Sequence, residues 1–215
     1  MDAAPSRYRR IIGGTSLIVG PALMSIGDLF HPAEHPGAAT QVAIIVHSAS
    51  RWYAAHLLLF VGLLLLVPGF LAITKVAMDR RPGAGYAARV LMLAGVAAFS
   101  AVIAFEMLLG RFIAERNDQA AATALLDTFQ SPEIWMALVP GLLAFFVGTA
   151  LAVVSLASAG DPFRWPALAY AVGASLILGE IILAKVLLSQ IGNIIMLVAG
   201  TAFARLLVRR REGAA

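Results

Sequence analysis

The sequence predicts an all-α protein: a polytopic membrane bundle of six transmembrane helices that forms a single domain, 1–215. Three observations lead to this class. Hydrophobic residues make up 60% of the chain and charged residues 13%, whereas about a quarter of the residues in a soluble domain are charged. Six apolar runs reach the roughly 20 residues that a helix needs to cross the hydrocarbon core. A seven-residue motif recurs, which indicates a tandem internal repeat.

The six runs are predicted to be helices because backbone N–H and C=O groups cannot stay unpaired in lipid. They lie at about 11–30, 53–75, 86–110, 133–157, 166–188 and 190–208. The first run follows a basic stretch and lacks a convincing cleavage site, so we expect a retained span. Two later helices are expected to start at a capping residue followed by proline, Ser131-Pro132 and Asp161-Pro162.

The basic residues predict the orientation of the bundle. When Lys and Arg are sorted by alternate loops, twelve of the sixteen fall on one side, which includes both termini. The positive-inside rule therefore places both termini in the cytoplasm, and we expect a multi-pass protein of the cell membrane. The pI near 10 is not taken as a sign of nucleic-acid binding, because the basic residues are scattered between apolar runs.

Two longer connections lie on the outer side, at 31–51 and 111–131. Each carries apolar residues at helical spacing: Val42, Ile45, Val46 and Ala49 in the first, and Ala121, Leu125 and Phe129 in the second. Both segments are predicted to be amphipathic helices at the outer membrane interface.

The recurring motif is LVPGFLA at 66–72 and LVPGLLA at 138–144. After each copy comes an apolar helix with an acid five residues before a base, Glu106 with Arg111 and then Glu180 with Lys185. These pairs extend the predicted repeat units to about 52–111 and 124–185. The proline inside each motif is expected to kink its helix.

Glycines recur at every seventh position on the first predicted helix: Gly13, Gly20 and Gly27. A similar stripe runs along the fourth, at Gly141, Gly148 and Ser155. Small residues at this spacing allow two helix backbones to approach closely, so we interpret the stripes as packing surfaces.

Ionisable groups are concentrated near the outer ends of the spans. The three spans that run outward each carry an acid there: Asp28, Glu106 and Glu180. An ionisable side chain within a span is costly, which makes it a functional hypothesis by default. We predict Glu106 and Glu180 as the acid–base pair, His56 as a proton relay and Asp28 as an orienting group. Alternatively, the two Glu simply pair with basic side chains that snorkel to the headgroups.

The basic and aromatic neighbours of these acids are the candidate substrate-binding residues. They are Arg51, Trp52, Arg111 and Lys185. We predict no cofactor and no metal ion. If a metal ion were bound, its first candidate ligands would be His31, Glu34 and His35, which supply imidazole and carboxylate donors. The chain has no cysteine, which excludes disulfides and thiolate chemistry.

Three functions fit this pattern. The first is an enzyme of the isomerase or cyclase type that acts on a lipophilic small molecule by acid–base catalysis. The second is a proton-coupled transporter of a small solute, in which the proline-containing helices move. The third is an accessory or scaffold subunit. The predicted partners are the lipid bilayer, the lipophilic molecule, and a second copy or another membrane protein; nucleic acid is excluded.

Overall fold

The computed structural model describes residues 3–33, 35, 37–116, 118–157, 161–183 and 186–209, and their side chains except at 3–6, 180–183 and 186. The described residues form α-helices and no strands. The helices are α1 (Ala3–Phe30), α2 (Ala38–Arg80), α3 (Pro82–Arg116), α4 (Gln119–Phe129), α5 (Pro132–Leu156), α6 (Arg164–Leu183) and α7 (Val186–Arg209). The predicted all-α class is therefore confirmed.

Five described helices are long and apolar enough to cross a membrane: Arg7–Phe30, Ala38–Arg80, Pro82–Arg116, Pro132–Leu156 and Leu187–Arg209. The chain is thus a multi-pass helical membrane protein. Helix α6 occupies most of the predicted run 166–188, and its role as a sixth span stays a prediction, as does the internal repeat.

The six long helices are arranged in a ring. In order around the ring they are α1, α2, α3, α5, α6 and α7, and α7 packs back against α1. Contact is extensive between most neighbours but sparse between α5 and α6. Among the described residues the two predicted repeat units therefore pack differently, because α2 and α3 are in more extensive contact than α5 and α6.

The glycine stripe of α1 is a packing surface, as predicted. A side chain at Gly20 would come within 2.9 Å of the Gly62 carbonyl oxygen, and one at Gly27 within 3.0 Å of the Ala55 oxygen. The backbones of α1 and α2 can lie this close only because the glycines have no Cβ.

Helix α2 extends beyond the predicted span at its start. Its first part, from Ala38, contains about half of the predicted amphipathic segment 31–51 and joins the long helix at Ser48, which has non-helical dihedrals of φ −135° and ψ 23°. At the motif prolines, by contrast, α2 continues through Pro68 and α5 through Pro140.

The predicted segment 111–131 is divided between two helices, because α3 continues to Arg116 before α4 begins. Asp118 caps α4 by accepting a hydrogen bond from the Ala121 N–H over 2.9 Å. The start of α2, the end of α3 and α4 share an apolar cluster, which we call the cap cluster. It consists of Ala38, Val42, Ile45, Trp52, Leu109, Ile113, Ala122 and Leu126. The two amphipathic helices thus pack together over one end of the ring; their position relative to a membrane stays a prediction.

Candidate functional site

A cavity of about 320 Å³ lies inside the ring, beneath the cap cluster. Every helix of the ring contributes to its lining, which includes Met24, Asp28, His31, His35, His56, Leu59, Leu63, Leu66, Phe99, Val102, Ile103, Glu106, Gln130, Trp135, Leu142, Phe145, Ile177, Ser189, Asn193 and Met196. Polar residues are gathered at the end where α1 and α3 finish, and apolar residues line the rest. We call these two parts the polar end and the shaft.

The centre of the polar end is a contact between α2 and α3. His56 Nε2 lies 3.0 Å from Oε2 of Glu106. The His56 side chain is 1% exposed and that of Glu106 31%, so the histidine is held within the protein while the carboxylate faces the cavity. Two predicted catalytic residues are therefore neighbours in a common site.

The tautomer of His56 follows from its other ring nitrogen. Nδ1 lies 2.8 Å from the Trp52 carbonyl oxygen, which can only accept, so Nδ1 carries a proton. A neutral ring with a proton on Nδ1 has a lone pair on Nε2. That lone pair would then face an ionised Glu106. The contact therefore requires one additional proton, either on His56 Nε2 or on Glu106.

Trp52 holds this pair in place. Its indole Nε1 donates to the Glu106 carbonyl oxygen over 2.8 Å, and its ring lies 4.4 Å from the ring of His56. Trp52 is 3% exposed and belongs to the cap cluster. We predicted it as a substrate-binding residue; in the structure it supports the site from behind the cavity wall.

His31 joins the same group from the loop after α1. Its Nε2 lies 3.3 Å from His56 Nε2, and its Nδ1 donates to the Pro32 carbonyl oxygen over 2.7 Å. Burial and the neighbouring His56 lower the pKa of His31 from 6.5 to about 4. His31 is therefore neutral at pH 7, and the additional proton is left to His56 and Glu106.

Arg51 holds the loop that carries His31. Its Nε donates to the Phe30 carbonyl oxygen over 2.6 Å and its guanidinium also donates to the His31 carbonyl oxygen over 3.3 Å. We predicted Arg51 as a substrate-binding residue, and in the structure its donors are directed to the backbone.

Asp28 lies at the polar end on the last turns of α1 and is buried. Asn193 Nδ2 donates to its Oδ2 over 2.8 Å, and the Ser189 side chain also hydrogen bonds to it. Gln190, which lies on α7 with Ser189 and Asn193, donates to the Asp28 backbone carbonyl over 3.3 Å. A carboxylate that accepts from two donors in an apolar surrounding is fixed in orientation.

The sequence-based prediction did not include the three α7 residues at this site, Ser189, Gln190 and Asn193. Ser189 and Asn193 are four residues apart and therefore share a helix face, and both lie in a run that is apolar apart from these two residues and Gln190. Two polar side chains on one face of a span were the signal that could have identified them.

The shaft extends from this end into the core of the ring. Its lining ends at Leu66 on α2, Phe99 on α3, Phe145 on α5 and Met196 on α7. Beyond this depth aromatic side chains are packed against one another. Phe145 lies 5.6 Å from Phe70, which in turn lies 6.1 Å from Tyr170 in an edge-on arrangement. The shaft is therefore closed at its inner end by aromatic side chains.

The remaining candidates are placed as follows. Arg111 is exposed and pairs with Glu115 over 2.6 Å. Glu34, Lys185 and the side chain of Glu180 lie outside the described residues.

His35 lines the cavity, and its Nδ1 accepts from the Gly37 N–H over 3.1 Å. Within the described ranges, no group of three or more His, Cys, Asp or Glu side chains is arranged to hold a metal ion. The structure thus adds no metal-ligand set to the candidates His31, Glu34 and His35.

Comparison of the chain with models of protein families, with curated proteins and with solved structures found no match.

Proposed function

We propose that this chain is a membrane-embedded enzyme that rearranges a lipophilic substrate by proton transfer, as an isomerase or cyclase does. The observation that carries the proposal is the His56–Glu106 contact of 3.0 Å at the end of an apolar cavity. A pocket with apolar walls and a few convergent polar groups is typical of small-molecule sites. A proton held between an imidazole and a carboxylate is available for general acid–base catalysis.

In this reaction one group removes a proton from the substrate and a protonated group returns one at another position. Atoms and electrons balance without an oxidant or reductant, because the product is an isomer of the substrate. Glu106 faces the cavity and is assigned the proton transfer to or from the substrate. His56 relays the proton, and Asp28 orients the substrate. Glu180 stays the predicted second carboxylate; it follows Ile177, a cavity residue, by three positions on α6.

The polar end is proposed to face the extracytoplasmic side of the cell membrane. The support is the distribution of basic residues, since twelve of sixteen Lys and Arg belong to the opposite side together with both termini. A lipophilic substrate would then reach the site from the outer leaflet.

The transporter alternative has less support. A carrier needs a route for its solute through the centre of the bundle. The described part of the shaft ends instead at Phe145, behind which Phe70 and Tyr170 are packed.

The enzyme can be tested without knowing its substrate. The purified protein in nanodiscs is incubated in D₂O with a lipid extract of native membranes, and mass spectrometry follows deuterium incorporation into lipid carbon–hydrogen positions. Wild-type protein is expected to label a specific lipid. Glu106→Gln should reduce labelling by about 10²-fold or more, the usual contribution of a general acid or base.

The matched control is Glu133→Gln, which changes an exposed glutamate in the first turn of α5 and should leave labelling unchanged. If wild-type protein labels no lipid, or if Glu106→Gln labels as fast as wild type, the proposed function is wrong.

A further inference from the structure

The shape of the cavity indicates an elongated ligand. On α2, its lining runs from His56 to Leu66, which at 1.5 Å per residue corresponds to about 15 Å. On α3 it runs from Phe99 to Glu106, or about 10 Å. With a volume of about 320 Å³, the cavity is a narrow space parallel to the helices, polar at one end only. A single hydrocarbon chain with one polar group has this shape and polarity.

The hydrogen-bond donors of the polar end are largely committed to protein acceptors. The Trp52 indole N–H is used by the Glu106 carbonyl, and the His31 Nδ1–H by the Pro32 carbonyl. Gln130 and Trp135 on the lining offer neutral donors only. A ligand with a phosphate or carboxylate would thus meet the Asp28 carboxylate, a His56–Glu106 pair without net charge, and no Lys or Arg among the described lining residues.

The acceptors of the polar end, in contrast, include one that lacks a partner. Asn193 is 1% exposed, and within the described ranges its Oδ1 has no hydrogen-bond partner. Its orientation is fixed because Nδ2 donates to the Asp28 carboxylate, and the reversed amide would set two oxygen acceptors against each other. A buried amide oxygen without a donor is costly, so a ligand that donates a hydrogen bond here would be stabilised.

We propose that the cavity binds a single-chain amphiphile with a donor head group that carries no negative charge, a long-chain alcohol or amine, whose head contacts Asn193, Asp28 and Glu106. The chain lies in the shaft, against Leu63, Leu142 and Phe145. The inference rests on the proposed function only in identifying this amphiphile as the substrate; binding itself is independent of turnover.

The test uses four photoreactive probes with the same diazirine-bearing hydrocarbon chain and different heads: alcohol, amine, carboxylate and phosphate. Each is added to the full-length protein in nanodiscs and irradiated, and the attachment sites are mapped by mass spectrometry. The alcohol and amine are expected to label the shaft residues at least about tenfold more than the two anions, a difference of 1.4 kcal/mol in binding. Equal labelling by all four heads would overturn the head-group assignment.

The position of the chain is tested with a pair of adjacent residues. Leu142 is buried and lines the cavity, whereas Leu143 is 46% exposed on the outside of the ring. Leu142→Trp fills the shaft and should abolish its labelling, while Leu143→Trp, with the same change at the same depth, should not. Labelling of the shaft that survives in folded Leu142→Trp would overturn the proposed site.

Asn193→Leu tests the head-group contact with a side chain of similar size. It should reduce alcohol labelling severalfold and leave anion labelling unchanged, and undiminished alcohol labelling would contradict the role of Asn193. If Leu142→Trp and Asn193→Leu fail to fold, the competition of unlabelled alcohol against the photoreactive alcohol on wild-type protein tests the site itself: labelling mapped to the shaft residues must be displaced by the unlabelled alcohol and not by the unlabelled carboxylate, and labelling that persists would overturn the proposal. Selective binding without deuterium incorporation would keep this inference and reject the enzyme, and incorporation without head-group selectivity would do the reverse.

Discussion

His56 Nε2 and the Glu106 carboxylate lie 3.0 Å apart although 50 positions separate the two residues in the chain. The contact forms because α2 and α3 pack side by side and because Trp52 contacts both partners. Its ring lies 4.4 Å from that of His56 in a tilted arrangement, and its N–H donates to the Glu106 carbonyl. A neutral imidazole with its proton on Nδ1 and an ionised carboxylate place no hydrogen between Nε2 and the carboxylate oxygen. A hydrogen bond between them therefore needs one further proton. The geometry therefore suits a proton shared between imidazole and carboxylate at the edge of an apolar cavity.

Trp52→Phe should weaken both the fold and the reaction. The substitution keeps an aromatic ring but removes the N–H that donates to the Glu106 carbonyl, which should cost about 1 kcal/mol of unfolding free energy. Deuterium incorporation should also fall, because His56 loses part of its support. Reversible SDS unfolding and the D₂O assay measure the two effects. Trp165→Phe, at an exposed position, is the control, and equal effects of both variants would contradict this role of Trp52.

The stability of the protein should depend on the protonation of His31. Folding lowers the pKa of His31 from 6.5 to about 4, first through burial and then through His56. Between these values the unfolded state binds more protons, so stability is complete above pH 6.5 and falls as the pH decreases toward 4. His31→Gln should flatten this part of the pH profile of thermal unfolding. His47→Gln, at an exposed residue, should not, and a profile unchanged in His31→Gln would contradict the assignment.

Gly200→Ala should strongly destabilise the bundle. A Cβ at Gly200 on α7 would overlap the carbonyl oxygen of Leu17 on α1, and neither backbone can move without separating the two helices. We expect a loss of about 1–3 kcal/mol or more, as for other overpacked sites. Gly83→Ala has no atom within 4 Å of the added Cβ and serves as the control in SDS unfolding. Equal stability of the two variants would contradict the close approach of α1 and α7.

The predicted orientation can be measured because the chain contains no cysteine. Single cysteines are introduced at Thr128 near the end of α4 and at Gly83 at the start of α3, both exposed. A membrane-impermeant maleimide added to intact cells should label Thr128→Cys, and should label Gly83→Cys only after the cells are opened. The reverse result would place the polar end of the cavity on the cytoplasmic side.

The sequence predicted the helical class and most helix positions because a long apolar run in a membrane protein has only one backbone solution. It also identified the glycine stripe that brings α1 against α2, since the spacing of small residues directly reflects the contact. The two segments predicted to be amphipathic are largely helical, but their packing onto one another was not predicted, because periodicity identifies an apolar face and not the surface that it packs against.

The candidate site was predicted in part. His56, Glu106 and Asp28 were predicted because ionisable residues are rare in apolar spans, and the structure places all three at the polar end of the cavity. Their arrangement depends on which helices are neighbours, and sequence spacing along one helix contains no such information. Trp52 and Arg51 were predicted as substrate ligands. In the structure the Trp52 N–H donates to the Glu106 carbonyl, and Arg51 donates to the carbonyls of Phe30 and His31. Asn193 was missed because its amide is uncharged, and the site was predicted from ionisable residues.

The ring of Phe145 closes the inner end of the shaft, where it is supported by Phe70 and Phe99. The proposed amphiphile, with its head at Asn193, could extend only as far as this side chain, so the position of Phe145 would set the maximum chain length of the ligand. Substitution of Phe145 should therefore change the preferred length of the ligand. A smaller side chain should favour longer chains, and a larger one should favour shorter chains.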